Sequence, residues 1–82
     1  MAKILYFGRL GDTAGMIEES IALPTHVATA GALRQWLDSR FDADGVLLEP
    51  TVRIAVNNEI SLDGTAVSDN DEIALMPPVG GG

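Results

Sequence analysis

Only one stretch of this 82-residue chain repeats its apolar residues at a helical period, and that narrows the folds open to it. Leu33, Trp36, Leu37 and Phe41 recur at i, i+3, i+4 and i+8, which puts them in one stripe along a helix. Thr29 stands just before the run as its N-cap, where a hydroxyl can accept a hydrogen bond from a free first-turn amide. Asp42-Ala43-Asp44-Gly45 ends the helix; Arg34, Gln35 and Asp38 fall on the outward side, and Trp36 reads as core. One helix cannot enclose a core alone. A sheet must cover its apolar stripe, which gives a two-layer α+β domain.

The remaining pattern supplies that sheet. Lys3-Ile4-Leu5-Tyr6-Phe7 is apolar on both strand faces and reads as a central strand. Gly8 to Gly15 reads as a loop, because three glycines interrupt any regular element. Ile17, Ile21 and Leu23 share a face at period two, but Glu19 interrupts it, as on an edge strand closed by Pro24. Val52, Ile54 and Val56 alternate with Arg53, Ala55 and Asn57, a half-buried strand. Asn57-Asn58 is turn chemistry leading to a short strand near Ile60–Leu62. Asp63-Gly64 and Ser68–Asp71 are further turns, and Glu72–Met76 is the last strand. Strand, strand, helix, strand, short strand, strand is the order of a β-grasp domain, a mixed sheet of about five strands packed on one main helix.

Composition excludes several functions. Five basic residues face twelve acidic ones, a net charge of −7, whereas nucleic-acid binding needs clustered Lys and Arg. No apolar run nears the roughly 20 residues of a membrane span, and MAKILYFGRL reads as a first strand rather than a signal segment. The absence of cysteine removes disulfides, thiolate nucleophiles and most zinc sites, and fits a reducing cytoplasm. His26 lies alone in a loop without a second ligand at metal spacing, so no metal site is expected. Glu18-Glu19 and Asp69-Asn70-Asp71-Glu72 read as solvated, and no carboxylate pair suggests acid–base catalysis. Gly8, Gly11 and Gly15 make no phosphate-binding fingerprint. The chain, a single domain over 1–82, does not read as an enzyme.

The stretch Met76-Pro77-Pro78-Val79-Gly80-Gly81-Gly82 is of another kind. Two prolines, with φ fixed and no N–H, stop the strand and project the residues beyond them in an extended, polyproline-like form. Glycines lack a Cβ, so such a segment fits a channel that excludes side chains. Ordering each backbone residue costs about 1–2 kcal/mol, and the prolines confine that cost to a few positions. Residues 77–82 are therefore expected to form a flexible C-terminal tail that works by threading into another protein; a merely frayed terminus is the competing reading. Phe7, Met76 and Val79 are candidates for an exposed apolar patch beside it, although Phe7 could equally be core and Met76 the last packed residue of its strand.

Four segments, KILYFGRLGD, TAGALRQWL, VRIAVNNE and DEIALMPPVGGG, resemble the ubiquitin-like sulfur carriers, and among these the small subunits of molybdopterin synthases. The resemblance runs from Lys3 to Gly82. Its most specific element is a PPV-x-GG ending, matched by Pro77, Pro78, Val79, Gly81 and Gly82, with Gly80 at the variable position. It implies a non-catalytic cytoplasmic subunit that binds no cofactor itself. An E1-like adenylyltransferase and sulfurtransferase would use ATP to adenylate Gly82, beside Gly81, and convert its carboxylate to a thiocarboxylate. The tail would then enter the large catalytic subunit, in a heterotetramer, and give its sulfur to cyclic pyranopterin monophosphate during molybdenum cofactor biosynthesis. Phe7, Met76, Pro77, Pro78, Val79 and Gly80 would bind the partners. Two alternatives stay open. One is a carrier for thiamin thiazole synthesis, whose members tend to be shorter and usually lack the Pro-Pro. The other is a protein modifier joined to targets through Gly82, for which Lys3 is the one internal lysine acceptor.

Overall fold

The main helix forms where its stripe demands. Thr29 is extended (φ −132°, ψ 162°), and its Oγ1 accepts a hydrogen bond from the Ala32 amide at 3.2 Å, so the helix begins at Ala30. This computed structural model describes residues 1–78. Its elements in order are β1 (Ala2–Tyr6), α1 (Leu10–Ala14), β2 (Glu18–Ile21), α2 (Ala30–Arg40), a 3-10 turn (Val46–Leu48), β3 (Arg53–Val56), β4 (Glu59–Ser61) and β5 (Glu72–Met76). The five strands make one sheet in the order β2-β1-β5-β3-β4, with β1 and β5 parallel and every other pair antiparallel. This is the β-grasp, ubiquitin-like arrangement.

One face of the sheet packs on α2. Ile4 and Tyr6 of β1, Ile54 of β3, and Ile73 and Leu75 of β5 meet Leu33 and Leu37 there, all essentially without solvent exposure. Trp36 and Phe41 pack against that core from its border, only partly buried. The two-residue hairpin between β3 and β4 turns at Asn57 (φ 51°) and Asn58 (φ 71°), the paired left-handed conformations that a tight hairpin requires.

Several expectations need correction. The stretch from Gly8 to Gly15 is not all loop: α1 occupies Leu10–Ala14. Leu10 and Ala14, one turn apart, are both buried, and Gly15 (φ 76°) closes the turn with its N–H on the Gly11 carbonyl. Ile17 does not share the inward face, being 76% exposed, whereas Glu19 turns inward with Ile21. Glu19 is thus not solvated; only its neighbour Glu18 is, paired loosely with Lys3 at 3.7 Å. Asp38 and Arg34, read as outward, are tied down. Asp38 accepts from the amides of Gly45 (3.0 Å) and Leu47 (3.1 Å). Arg34 Nη1 donates to the Leu47 carbonyl at 3.2 Å while its Nε lies 3.2 Å from Asp63 Oδ1. Both hold the 3-10 turn, itself unforeseen, against α2. Asp71 is also structural: the Asn57 side-chain amide and the Ser68 N–H donate to it and hold its carboxyl below the usual range.

Glu19 turns inward because three partners meet it there. The Tyr6 hydroxyl donates to Oε2 at 2.5 Å, and the Arg40 guanidinium reaches both carboxylate oxygens, at 3.1 and 3.0 Å. Arg40 also lies over the rings of Trp36 (5.1 Å) and Phe41 (4.9 Å), and Phe41 meets Tyr6 edge-on at 5.5 Å. The network clamps the end of α2 onto β1 and β2. Burial works against the Glu19 charge, but the bonds from Arg40 and Tyr6 outweigh it and hold the carboxyl below its ordinary 4.5. Burial and the neighbouring carboxylate together keep the Tyr6 hydroxyl protonated.

Because the folded-state value is the lower one, the contribution of Glu19 is complete above about pH 4.5 and is lost as pH falls through that lower value. Glu19→Gln should cost about 1–2 kcal/mol at neutral pH, and its deficit should shrink at about pH 3. Urea unfolding of both proteins at the two pH values checks this.

Candidate functional site

The site grows from the way β5 ends. Met76 is the last ladder residue, opposite Arg53 of β3, and Pro77 then offers no N–H to continue it. On the other side the Phe7 amide donates to the Leu75 carbonyl at 3.0 Å, so β1 and β5 finish side by side. Gly8 follows with φ 55°, and a Cβ built there would stand 3.0 Å from Pro77 Cγ. The Pro77 ring thus sits against bare backbone, a close approach that glycine allows.

The sheet face turned away from α2 is unusually apolar around this point. Cross-strand partners lie on the same side of a sheet, so the registered row Leu5, Ala74, Ala55 and Ile60 crosses four strands on the open face. Phe7 (47% exposed), Ile60 (60%) and Leu62 (82%) leave large apolar surfaces in solvent. A groove of about 560 Å³ takes in Ile60, and Pro50, Thr51, Arg53, Met76, Pro77 and Pro78 complete its lining. Among the described residues its lining holds one cation, one hydroxyl (Thr51) and no carboxylate, so its chemistry is that of a grip.

The residues proposed from sequence therefore divide. Phe7 is exposed and belongs to the patch rather than the core, while Met76, Pro77 and Pro78 are partly buried along the groove. Val79, Gly80, Gly81 and Gly82 lie outside the described residues. Ile60, Leu62 and Arg53 were missed as members of this surface. The signal was present in the Asn57-Asn58 turn: a two-residue hairpin pairs Ala55 with Ile60, and Ala55 alternates with the core residues Ile54 and Val56. Among the described residues there is no cluster of three or more His, Cys, Asp or Glu that could hold a metal ion, and no helix long and apolar enough to cross a membrane.

If the open face is not part of the folding core, Phe7→Ser and Ile60→Ser should each change stability by no more than about 0.5 kcal/mol. Leu75→Ala on the inner face should lose about 2–5 kcal/mol. Denaturant midpoints for the three variants check the contrast.

Comparison with known proteins places this geometry in context. The model of the ThiS family matches residues 4–82. A molybdopterin synthase sulfur carrier subunit of Haemophilus influenzae is 34% identical over 83 residues, covering 100% of both chains. Its counterpart in Dictyostelium discoideum is 37% identical, covering 98% of this chain and 94% of that one. The crystal structure of small archaeal modifier protein 1 of Haloferax volcanii matches with a TM-score of 0.77 at 27% identity, over 95% of this chain and 97% of that one.

Proposed function

This chain belongs to the ThiS family, and we propose that it is the sulfur carrier subunit of a molybdopterin synthase. The observation that carries the reading is the join of β5 to Pro77-Pro78, beside an open apolar face, in a chain alike over its whole length to subunits of that name.

The carboxylate of Gly82 is the working group. A free carboxylate is a poor electrophile, so an E1-like enzyme first joins it to AMP from ATP, releasing pyrophosphate. A donor supplying sulfur at the sulfide level then displaces AMP, breaking the acyl–phosphate bond and forming the carbon–sulfur bond of a thiocarboxylate. That anion is a soft nucleophile suited to attack on an activated carbon of cyclic pyranopterin monophosphate. This chain contributes presentation rather than catalysis. Pro77 and Pro78 end the strand and limit the number of residues that must be ordered when the tail is bound. The glycines pass where side chains would not. Phe7, Ile60 and Met76 dock the large catalytic subunit, whose active site receives the tail. The chemistry and the ATP belong to the partners, and the setting is the cytoplasm.

A second reading, a protein modifier joined through Gly82, is favoured by the likeness to the archaeal modifier. Lys3 is the one lysine, 46% exposed at its side chain, so self-conjugates through a side-chain amine would all share a single linkage. A ladder of covalent adducts on immunoblots of native cells would favour that reading.

All buried apolar residues among those described precede Met76. Deleting Gly81 and Gly82 should therefore leave the melting temperature unchanged and abolish sulfur transfer in a reconstituted reaction with the activating enzyme and the large subunit. Undiminished transfer by the shortened chain would contradict the mechanism.

A further inference from the structure

The chain has five cations among twelve acids, and three of the five are spoken for. Lys3 pairs with Glu18 at 3.7 Å, Arg34 with Asp63 at 3.2 Å and Arg40 with Glu19 at 3.0 Å. Among the described residues, Arg9 and Arg53 form no ion pair, and both stand beside the start of the tail. Arg53 is the cross-strand partner of Met76, while Arg9 follows Gly8, which touches Pro77. They differ in their surroundings. Arg9 shares a groove with Asp12 and Glu49. Among the described residues, the groove of Arg53, beside Ile60, Met76 and Pro77, has no carboxylate in its lining. On its other side Arg53 borders Asp63, which Arg34 already holds.

We propose that Arg53, with Arg9 in a lesser role, sets the docking register of this chain by accepting a carboxylate from the large synthase subunit at the mouth of its tail-receiving channel. The proposal rests on the reading given above and adds the charge pattern of that partner. An exposed guanidinium on the rim of an apolar patch presents a planar fork matched to a carboxylate. Charges placed this way govern orientation and encounter rate more than total affinity. The chain as a whole is acidic, with a net charge of −7, so an indiscriminately acidic partner would be repelled. The complementary surface is therefore basic in general, with one acidic side chain opposite Arg53. Phe7, Ile60 and Met76 supply the apolar grip around that contact.

The test is calorimetric titration of the full chain against the large subunit at low and moderate salt. Arg53→Glu should weaken binding about tenfold or more and flatten its salt dependence; Arg53→Gln should lose several-fold, and Arg9→Glu less than Arg53→Glu. Lys3→Glu makes the same change in net charge at the far end of β1 and should stay within about twofold of wild type. Circular dichroism of each variant establishes that it is folded. Wild-type affinity in both Arg53 variants, or an equal loss in Lys3→Glu, would overturn the proposal. Failure of the wild-type chain to bind the large subunit would instead overturn the functional reading beneath it.

Discussion

The parallel pairing of β1 with β5 is the constraint on which the rest of the molecule depends. Two parallel strands cannot be joined by a tight turn, so the intervening chain must cross over one face of the sheet. Here α2 makes that crossing and brings Leu33 and Leu37 onto the sheet. The last strand is thereby held in the middle of the sheet, between β1 and β3, although it comes last in the sequence. Because β1 and β5 run in the same direction, their ends coincide. Phe7 and Gly8 border Pro77 for that reason, and the segment after β5 departs from a strand held on both sides.

The same constraint leaves the other face uncovered. With one helix layer no second helix covers this face, yet the row Leu5, Ala74, Ala55 and Ile60 is apolar from β1 to β4, and Ile60 is left 60% exposed at its edge. A fold under pressure for solubility alone would place polar side chains there, as on the open faces of most antiparallel sheets. Retaining an apolar face beside the tail fits a protein whose use is to be gripped while its terminus is handled elsewhere. At the border of the core, where a small chain lacks enough apolar residues, the Tyr6–Glu19–Arg40 network closes the packing with charge-assisted bonds.

Much of this was legible in the sequence wherever local chemistry and the global fold ask for the same residue. Glu72–Met76 emerges with its ends in place, because a turn precedes it and a proline comes after. Thr29 and Asn57-Asn58 declare a helix start and a hairpin through conformations that few residues favour. The misses share a cause. Helix α1 has five residues, too few for any periodicity to show, and is fixed by the burial of Leu10 and Ala14 against distant strands. Glu19 breaks a local pattern because its partners, Tyr6 and Arg40, are 13 and 21 residues away. The groove likewise joins β3, β4 and β5, so its membership depends on pairing rather than on neighbours in the chain.

The central claim is that the acyl carbon of Gly82 is where sulfur is carried. Intact-mass spectrometry of the chain isolated from its native cells, followed by fragmentation to locate any change, addresses it most directly. The account predicts a population in which one oxygen has been exchanged for sulfur, with the difference confined to the last residue. Sulfur found at another position, or a carboxylate that stays unmodified in cells actively making the molybdenum cofactor, would contradict it.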